Sequence, residues 1–238
     1  MDDTTHMETM LRPTPTRPFL GMTVLVVEDS LFACDAMRLM CLRSGARIRR
    51  ADCLQSARRH LRVYRPTVVI ADIGLPDGSG IDFIRELNEL QPRVPAILAT
   101  SGDPDLEENS LEAGADGFMP KPIASLAVFQ HAVIAALPEE RRPNLIRAVE
   151  HEPVSPDPLA YQDDMAHAAE LLGAKTDIVS LEYVSKFLVG VARSAADAPL
   201  ERASQDLAQA KLDGKPVQAD LARVVALIHD RLNERVAM

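Results

Sequence analysis

The feature that most constrains the fold is a short apolar run, residues 67–71 (Thr-Val-Val-Ile-Ala), which ends in Asp72. Pro66 precedes the run, and residues 73–80 (Ile-Gly-Leu-Pro-Asp-Gly-Ser-Gly) follow it. A short β-branched run between a Pro and a Gly/Pro/Asp cluster is typical of a buried parallel strand. In open α/β sheets, ligands and reactive groups gather at the carboxyl ends of such strands. The pattern therefore predicts that Asp72 lies at the ligand-binding edge of a parallel sheet.

Two acids follow an earlier apolar strand. Residues 23–27 (Thr-Val-Leu-Val-Val) are followed directly by Glu28 and Asp29. Acids are also common at the N-terminus of a helix, and this explanation stays open for the pair alone. If both carboxylates meet Asp72 in a partly dry pocket, the three groups repel one another strongly. A hard divalent cation relieves such repulsion, and Mg²⁺ suits one or two carboxylates, a backbone carbonyl and several waters.

A hydroxyl and an ammonium complete the set of polar groups. Residues 96–99 (Ala-Ile-Leu-Ala) are followed by Thr100, and Lys121 follows a short apolar stretch. Taken singly, the Thr is typical of a turn or a helix cap. A Lys before Pro is likewise typical of a solvated strand end. Together, a divalent metal, the carboxylate of Asp72, a hydroxyl and an ammonium indicate phosphoryl transfer that forms an aspartyl phosphate.

Residues 22–137 resemble the receiver domain of two-component response regulators. The resemblance is carried by four motifs, which follow the order of the strand ends. They are Val-Leu-Val-Val-Glu-Asp (24–29), Asp-Ile-Gly-Leu-Pro-Asp-Gly-Ser-Gly (72–80), Pro-Ala-Ile-Leu-Ala-Thr (95–100) and Gly-Ala-Asp-Gly-Phe-Met-Pro-Lys-Pro (114–122).

The resemblance implies a role for each acid of the predicted site. Asp72 is expected to be the phosphoacceptor, and Asp29 is expected to ligate Mg²⁺ directly. Glu28 would contribute through a water molecule, and the backbone carbonyl of Gly74 would complete the protein ligands. Since no position that the family requires is missing, we expect the domain to be competent for phosphorylation.

The resemblance also implies which groups respond to phosphorylation. Thr100 would turn towards the phosphoryl group, Lys121 would pair with it, and Phe118 would be the aromatic switch residue that turns inward. The peptide bond between Lys121 and Pro122 is expected to be cis, which a tertiary amide permits. The implied partner is a sensor histidine kinase or a phosphotransfer protein. The domain is not expected to be an enzyme, beyond promoting its own phosphorylation and dephosphorylation with Mg²⁺.

Helical patterns alternate with the strands in the first part of the chain. They predict an α/β fold with a doubly wound five-stranded parallel sheet, flavodoxin-like as in receivers, followed by a smaller all-α domain. Asp52 is expected to cap the helix that runs towards Tyr64. We predict a disordered arm over residues 1–18, a receiver over 19–138, a linker over 139–158 and a helical module over 159–238.

Composition narrows the classes of function. A net charge of −9 argues against broad nucleic-acid binding, which usually shows a basic footprint. No apolar run in the sequence approaches the ~20 residues that span a bilayer, so no membrane association is expected. The first 18 residues carry no apolar signal core, and we therefore expect a cytoplasmic protein.

Four helical stretches are predicted in the last part of the chain, over residues 159–172, 176–196, 199–211 and 217–236. Long amphipathic helices with acidic outer faces need a partner to cover their apolar stripes. This pattern favours a dimerisation or partner-binding module and a homodimer. The predicted function is that of a response regulator whose phosphorylation on Asp72 switches the association or partner binding of this module.

Two other functions of the helical module stay open. A transcriptional regulator would bind DNA through it, but residues 153–238 hold 9 Lys and Arg against 13 Asp and Glu. No basic recognition helix is evident in that segment. A phosphorelay intermediate would use His167, but Glu170 lies three residues beyond it. An acid beside the imidazole would disfavour an incoming phosphoryl group.

Overall fold

The structure is a computed structural model that describes residues 13–143, 154, 156–173 and 178–234, without the side chains of 178–180. It divides into one compact unit of Met1–Asp29 and Ala36–Ser155 and a second of Ser30–Asp35 and Pro156–Met238. Residues 1–12 of the predicted arm lie outside the described residues, as do 144–153 and 155 of the predicted linker. The domain bounds predicted from the sequence stay predictions.

Strands and helices alternate along residues 13–143, which belong to the first unit except for Ser30–Asp35. In order, the elements are β1 (Thr23–Val27), α1 (Leu31–Ser44), β2 (Arg47–Ala51), α2 (Leu54–Val63), β3 (Val68–Asp72), β4 (Gly74–Leu75), β5 (Gly78–Ser79), α3 (Gly80–Glu89), β6 (Ala96–Ser101), a 3₁₀ turn (Pro104–Leu106), α4 (Glu107–Glu112), β7 (Gly117–Pro120), α5 (Leu126–Ala136) and a 3₁₀ turn (Glu139–Arg141). β4 and β5 pair only with each other, in a small antiparallel hairpin.

The main sheet has five parallel strands in the order β2-β1-β3-β6-β7. This arrangement confirms the predicted doubly wound, flavodoxin-like receiver fold. In the register, Asp72 pairs with Thr100 and Thr100 pairs with Met119. Because all five strands run the same way, the polar residues that end them reach one edge of the sheet.

The strands form because their sequences suit a doubly covered sheet. β3 and β6 are buried along their whole length, and β1 is buried from its second residue. On one face, Leu25, Val69 and Ile97 pack against Phe83 and Ile84 of α3. Continuous apolar runs of this kind are expected where helices cover both faces of a parallel sheet.

The N-terminus of α2 is capped from a distance. The prediction that Asp52 caps this helix is wrong, because Cys53 occupies the N-cap position and no side-chain cap bond is made there. Asp77, in the turn between β4 and β5, instead accepts hydrogen bonds from the backbone N–H groups of Leu54 (2.8 Å) and Gln55 (2.9 Å). A carboxylate at this position also interacts favourably with the helix dipole.

A single arginine fixes the chain where β7 begins. The guanidinium of Arg93 donates to both carboxylate oxygens of Asp116, at 2.9 Å each, and to the carbonyl of Gly114 at 2.8 Å. It also donates to the side chain of Asn88 and to the carbonyl of Val94. In turn, Asp116 accepts from the backbone N–H of Ile97 at 2.8 Å. The bidentate pair gives this corner a defined geometry.

The second unit contains a bundle of four helices, α6 (Pro158–Gly173), α7 (Ile178–Ser194), α8 (Ala198–Leu212) and α9 (Gln218–Asn233). Each packs on the next, and α9 packs on α6. Their common core includes Met165, Val184, Leu188, Leu207 and Ile228. This confirms the predicted all-α domain. Residues 176–177 and 235–236 of the predicted helices lie outside the described residues.

Two aspartates, Asp164 and Asp197, organise the second unit, and Asp164 is buried. Asp164 accepts hydrogen bonds from the hydroxyl of Ser30 (2.8 Å) and from the backbone N–H groups of Leu31 (2.8 Å) and Phe32 (3.1 Å). Burial raises the pKa of Asp164, although these three donors oppose the shift.

Asp197 ties three helices together. It accepts from the Tyr161 hydroxyl at 2.7 Å and takes two hydrogen bonds from Arg231, at 2.6 and 3.1 Å. It also accepts from the backbone N–H of Leu200 at the start of α8. The bundle is therefore held by a polar network as well as by its apolar core.

Replacing Asp77 with Ala should lower the free energy of unfolding by about 1 kcal/mol, since α2 loses its N-terminal acceptor. Asp77→Asn keeps one acceptor oxygen and should lose less. Urea unfolding of the full chain measures both values. Glu139→Ala, at an exposed acid that makes no cap, is the matched control. An Asp77→Ala midpoint equal to that of the control would contradict the capping role.

Candidate functional site

Three carboxylates meet where β1 and β3 end. Glu28 and Asp29 follow β1, Asp72 is the last residue of β3, and one oxygen of each lies within 4.8 Å of the others. Glu28 and Asp72 are buried. Oxygen ligands packed at such spacing fit a hard divalent cation, which would offset the repulsion among the acids. The sequence prediction that these acids converge therefore agrees with their placement in the structure.

The ammonium of Lys121 lies among these acids. Its Nζ atom is 2.6 Å from Oε2 of Glu28 and 3.1 Å from Oδ2 of Asp72. The Lys121 side chain is 8% exposed and the Glu28 side chain 1%. Burial alone lowers the pKa of Lys121, but the charges of Asp72 and Glu28 more than reverse this and raise it above its ordinary value. Lys121 is therefore a fixed positive charge beside Asp72.

The pKa of Glu28 is raised well above its ordinary value. Burial is the largest cause; Lys121 opposes the shift, and the neighbouring charges of Asp72 and Asp29 add to it. Three acids against one ammonium leave the site short of positive charge. A divalent cation would supply what is missing.

Thr100 is the second-last residue of β6 and pairs with Asp72 in the sheet, but its hydroxyl bonds to another group. The side chain is fully buried, and Oγ1 donates to the carbonyl of Met119 at 2.9 Å. Its own carbonyl accepts from the backbone N–H of Ile73 at 3.1 Å. The family resemblance implies that Thr100 turns towards a phosphoryl group on Asp72. In this structure its hydroxyl instead links β6 to β7.

Phe118 is half-buried and packs against the sheet core. It also lines an open groove of about 490 Å³ together with residues of α5, among them Val128 and His131. Its backbone neighbour Met119 holds the Thr100 hydroxyl. The aromatic ring therefore lies between the core and a space into which it can turn.

A close backbone approach shapes the loop after Asp72. A Cβ atom on Gly80 would lie 2.1 Å from the backbone oxygen of Asp72 and 2.6 Å from the Cα of Ile73. Gly80 also donates its N–H to the carbonyl of Ile73 at 3.0 Å. Gly80 is the last residue of the 72–80 motif in the sequence. The close backbone contact that requires a glycine there is a feature of the folded chain.

Two other predicted features are placed as follows. The Lys121–Pro122 peptide bond is cis. Gly74 lies in β4, paired with Ser79, and its carbonyl as a metal ligand stays a prediction.

His167 lies in the second unit, and the acid cluster found among the described residues consists of Glu28, Asp29 and Asp72 alone. It is exposed on α6, and its ring meets that of Phe187 edge-on with centroids 5.8 Å apart. Glu170 is exposed one turn further along the helix. The phosphorelay role of His167 stays a prediction without added support.

Comparison with known proteins identifies the first unit. A family model described as the response regulator receiver domain matches residues 24–133. This segment carries the acid cluster, Thr100, Phe118 and Lys121. Residues 24–133 are therefore a response regulator receiver domain, and the four helices of the bundle lie outside the match.

Curated relatives share this segment. The chain is 33% identical over 99 residues to the KDP operon transcriptional regulatory protein KdpE of Escherichia coli. The matched segment covers 42% of this chain and 44% of that protein. It is 32% identical over 103 residues to the virulence transcriptional regulatory protein PhoP of Salmonella typhimurium, covering 42% and 46%. The chain thus spans less than half the length of these relatives.

A solved structure with similarity is a response regulator protein from Burkholderia pseudomallei with a phosphorylated aspartic acid, calcium ion and citrate. It is 26% identical, with a TM-score of 0.42, and the match covers 50% of this chain and 68% of that one.

Within the residues that the structure describes here, every helix is too short or too polar to cross a bilayer.

Replacing Glu28 with Gln should change how stability depends on pH. Because the folded pKa of Glu28 lies above that of the unfolded chain, the free energy of unfolding falls as pH rises from about 4.5 through the folded value. The slope over this window is at most about 1.4 kcal/mol per pH unit. Glu28→Gln should remove this slope and be more stable than wild type above the window.

Urea unfolding at a series of pH values, with a chelator to remove divalent cations, measures the effect. Glu139→Gln, at an exposed position, is the control and should keep the wild-type slope. Parallel pH dependences for Glu28→Gln and wild type would show that Glu28 does not carry this proton.

Proposed function

We propose that the chain is a phosphorylation-activated response regulator of a two-component system. It accepts a phosphoryl group on Asp72 and thereby switches the association state or partner binding of the helical unit. The observation that carries this proposal is the ammonium of Lys121, 3.1 Å from a carboxylate of Asp72 that shares its site with two more acids. The receiver domain matched by residues 24–133 supports the same function.

The proposed step is a phosphoryl transfer to oxygen. A carboxylate oxygen of Asp72 attacks the phosphorus of a phosphohistidine on a sensor histidine kinase or a phosphotransfer protein. The new O–P bond forms as the P–N bond breaks, and the electron pair leaves with the imidazole. Lys121, held between Glu28 and Asp72, attracts the oxygens of the transferred group.

Mg²⁺ is the cation that we propose for the acid cluster. Asp29 and Asp72 would hold it, with Glu28 acting through water, and it would neutralise charge on the transferring oxygens. Glu28 also keeps Lys121 in position beside Asp72. The same arrangement would admit a water to hydrolyse the aspartyl phosphate, so the domain promotes both its phosphorylation and its dephosphorylation.

The switch follows from what Thr100 now binds. A phosphoryl group on Asp72 offers Thr100 an anionic acceptor, which is stronger than the carbonyl of Met119 that it binds at 2.9 Å. Turning the hydroxyl removes the side-chain bond from Thr100 to Met119 of β7, and the neighbouring, half-buried Phe118 can then change its packing against the groove beside α5. Phosphorylation biases this equilibrium only by favouring one of the two states.

We propose a homodimeric or partner-binding role for the helical unit. Several relatives are titled transcriptional regulatory proteins, and DNA binding is the alternative. The excess of acids over bases in residues 153–238 favours a protein partner over DNA. The same proposal places the protein in the cytoplasm, where a kinase can deliver its phosphoryl group.

Asp72→Asn should abolish incorporation of acid-labile phosphate from acetyl phosphate, because an amide oxygen is a far weaker nucleophile than a carboxylate. Wild type should lose incorporation when Mg²⁺ is chelated. Labelled phosphate retained on the full chain measures both. Asp105→Asn, at an exposed acid outside the cluster, should label like wild type. Equal labelling of Asp72→Asn and wild type would place the phosphoacceptor elsewhere.

Thr100→Ala should separate phosphorylation from its output. With beryllofluoride as a phosphoryl mimic, the wild-type chain should change its sedimentation-derived mass, whereas Thr100→Ala should bind the mimic and keep its mass. Val128→Ala, on the same groove but without a hydroxyl, is a control that should respond. A full response in Thr100→Ala would exclude the Thr100 route, and no response in wild type would exclude an association switch.

A further inference from the structure

One edge of the receiver sheet carries a dense group of arginines. β2 is the edge strand, and six exposed arginines lie on it or on the adjoining helix α2 and the residues just after it. We call this surface the basic edge; it comprises Arg47, Arg49, Arg50, Arg59, Arg62 and Arg65. Among the described residues, none of the six forms an ion pair with a carboxylate, whereas Arg58 beside them pairs with Glu86.

The basic edge stands out against the rest of the chain. Residues 38–65 contain nine arginines and a single acid, Asp52, in a protein of net charge −9. Charged residues on an edge strand also discourage strand-to-strand aggregation, which gives the arginines of β2 an ordinary explanation. That explanation does not extend to Arg59, Arg62 and Arg65, because they lie on or after a helix. Six like charges held together favour a nearby anion.

An oppositely charged surface lies on the same unit. Five exposed acids follow β6, at the N-cap of the 3₁₀ turn, in that turn and in α4, and no Lys or Arg occurs between residues 94 and 120. We call this surface the acidic segment; it comprises Asp103, Asp105, Glu107, Glu108 and Glu112. Within the described part of the chain, none of these five acids is in an ion pair.

The two surfaces cannot neutralise each other within one molecule. The basic edge lies at β2, and the acidic segment leads from β6 into β7, so they occupy opposite ends of the sheet. Four strand spacings of ~4.8 Å separate β2 from β7, which is roughly 19 Å. Charges this far apart are largely screened at physiological salt.

Each surface also presents an exposed apolar side chain. Val63, between Arg62 and Arg65, is 84% exposed, and Leu111, between Glu108 and Glu112, is 45% exposed. An apolar centre rimmed by charge is the usual composition of a protein–protein contact. A phosphate backbone would gain nothing from Val63, and the negative net charge of the chain opposes nucleic acid.

We propose that the basic edge of one copy of this chain docks on the acidic segment of a second copy. Val63 meets Leu111 at the centre, and the arginines pair with the acids around them. The contact is heterologous, because each copy uses a different surface, and every added copy leaves one basic edge and one acidic segment free. Association should therefore grow with protein concentration and weaken with salt. This inference does not depend on phosphorylation of Asp72.

Charge reversal on the full chain tests the contact. The double variants Arg59→Glu/Arg62→Glu and Glu107→Arg/Glu108→Arg should each associate about tenfold more weakly than wild type, since each brings like charges together. An equimolar mixture should recover one contact, because the intact acidic segment of the first variant faces the intact basic edge of the second. Sedimentation velocity over a concentration series measures all of these.

Two control variants accompany these, one matched to the basic-edge variant in its change of charge and one matched to Val63→Ser in its loss of an exposed apolar side chain. Arg141→Glu/Arg202→Glu changes the net charge as the basic-edge variant does, at exposed positions elsewhere, and should associate like wild type. Val63→Ser should weaken association, whereas Leu212→Ser, at a side chain 77% exposed in the second unit, should not. Wild-type mass should fall between about 0.01 M and about 1 M salt, as the Debye length drops from about 30 Å to about 3 Å.

The outcomes distinguish a second copy of the chain from the other possible partners of the basic edge. Association that depends on protein concentration, weakens with salt and is restored only in the mixture supports the proposal. A dimer formed by the helical unit alone would keep its wild-type mass in all of these variants. Masses unchanged by either charge reversal, or a mixture no heavier than its components, would overturn it. Duplex DNA that binds wild type but not Arg59→Glu/Arg62→Glu, without effect on protein mass, would instead assign the basic edge to nucleic acid.

Discussion

The receiver unit depends on four charged side chains that meet where its strands end, three of which are largely withdrawn from water. Glu28, Asp29 and Asp72 face the single ammonium of Lys121, which lies 2.6 Å from Glu28 and 3.1 Å from Asp72. Removing charges from water is costly unless they are paired and held in place. Here separate strands hold the acids, and the ladder of the parallel sheet fixes those strands. The imbalance of charge makes the site receptive to a cation and responsive to an added phosphoryl group.

Charge is also organised on a larger scale than this cluster. The net charge of the whole chain suggests a uniformly acidic surface, yet six exposed arginines gather at β2 and α2 and five exposed acids gather around α4. Averaging over the sequence conceals this separation, because the two groups are distant in sequence and opposite in sign. Their relation is apparent only once the strand order places them at opposite ends of one sheet.

The fold and most of the site could be predicted from the sequence for a definite reason. Buried parallel strands need continuous apolar runs, and their carboxyl ends must meet, so Glu28, Asp72, Thr100 and Lys121 could be placed together. The capping of α2 could not, since Asp77 is 23 residues from the N–H group of Leu54 that it binds. Asp52 had the right local position but not the contact. The carbonyl that holds Thr100 is likewise set by strand register rather than by any local pattern.

The Arg93 corner has a mechanical consequence for β7. Its bonds to Asp116 and Gly114, together with the bond from Ile97 to Asp116, anchor the strand at its entrance. At the exit end, the Thr100 hydroxyl donates to the carbonyl of Met119, and the backbone N–H of Lys121 donates to the carbonyl of Ser101 at 2.8 Å. The entrance is thus fixed by a charged pair, whereas one of the bonds at the exit comes from a hydroxyl that can exchange its acceptor. A rearrangement that starts from this threonine would therefore act on the Lys121 end of β7, and the Arg93 corner would confine it there.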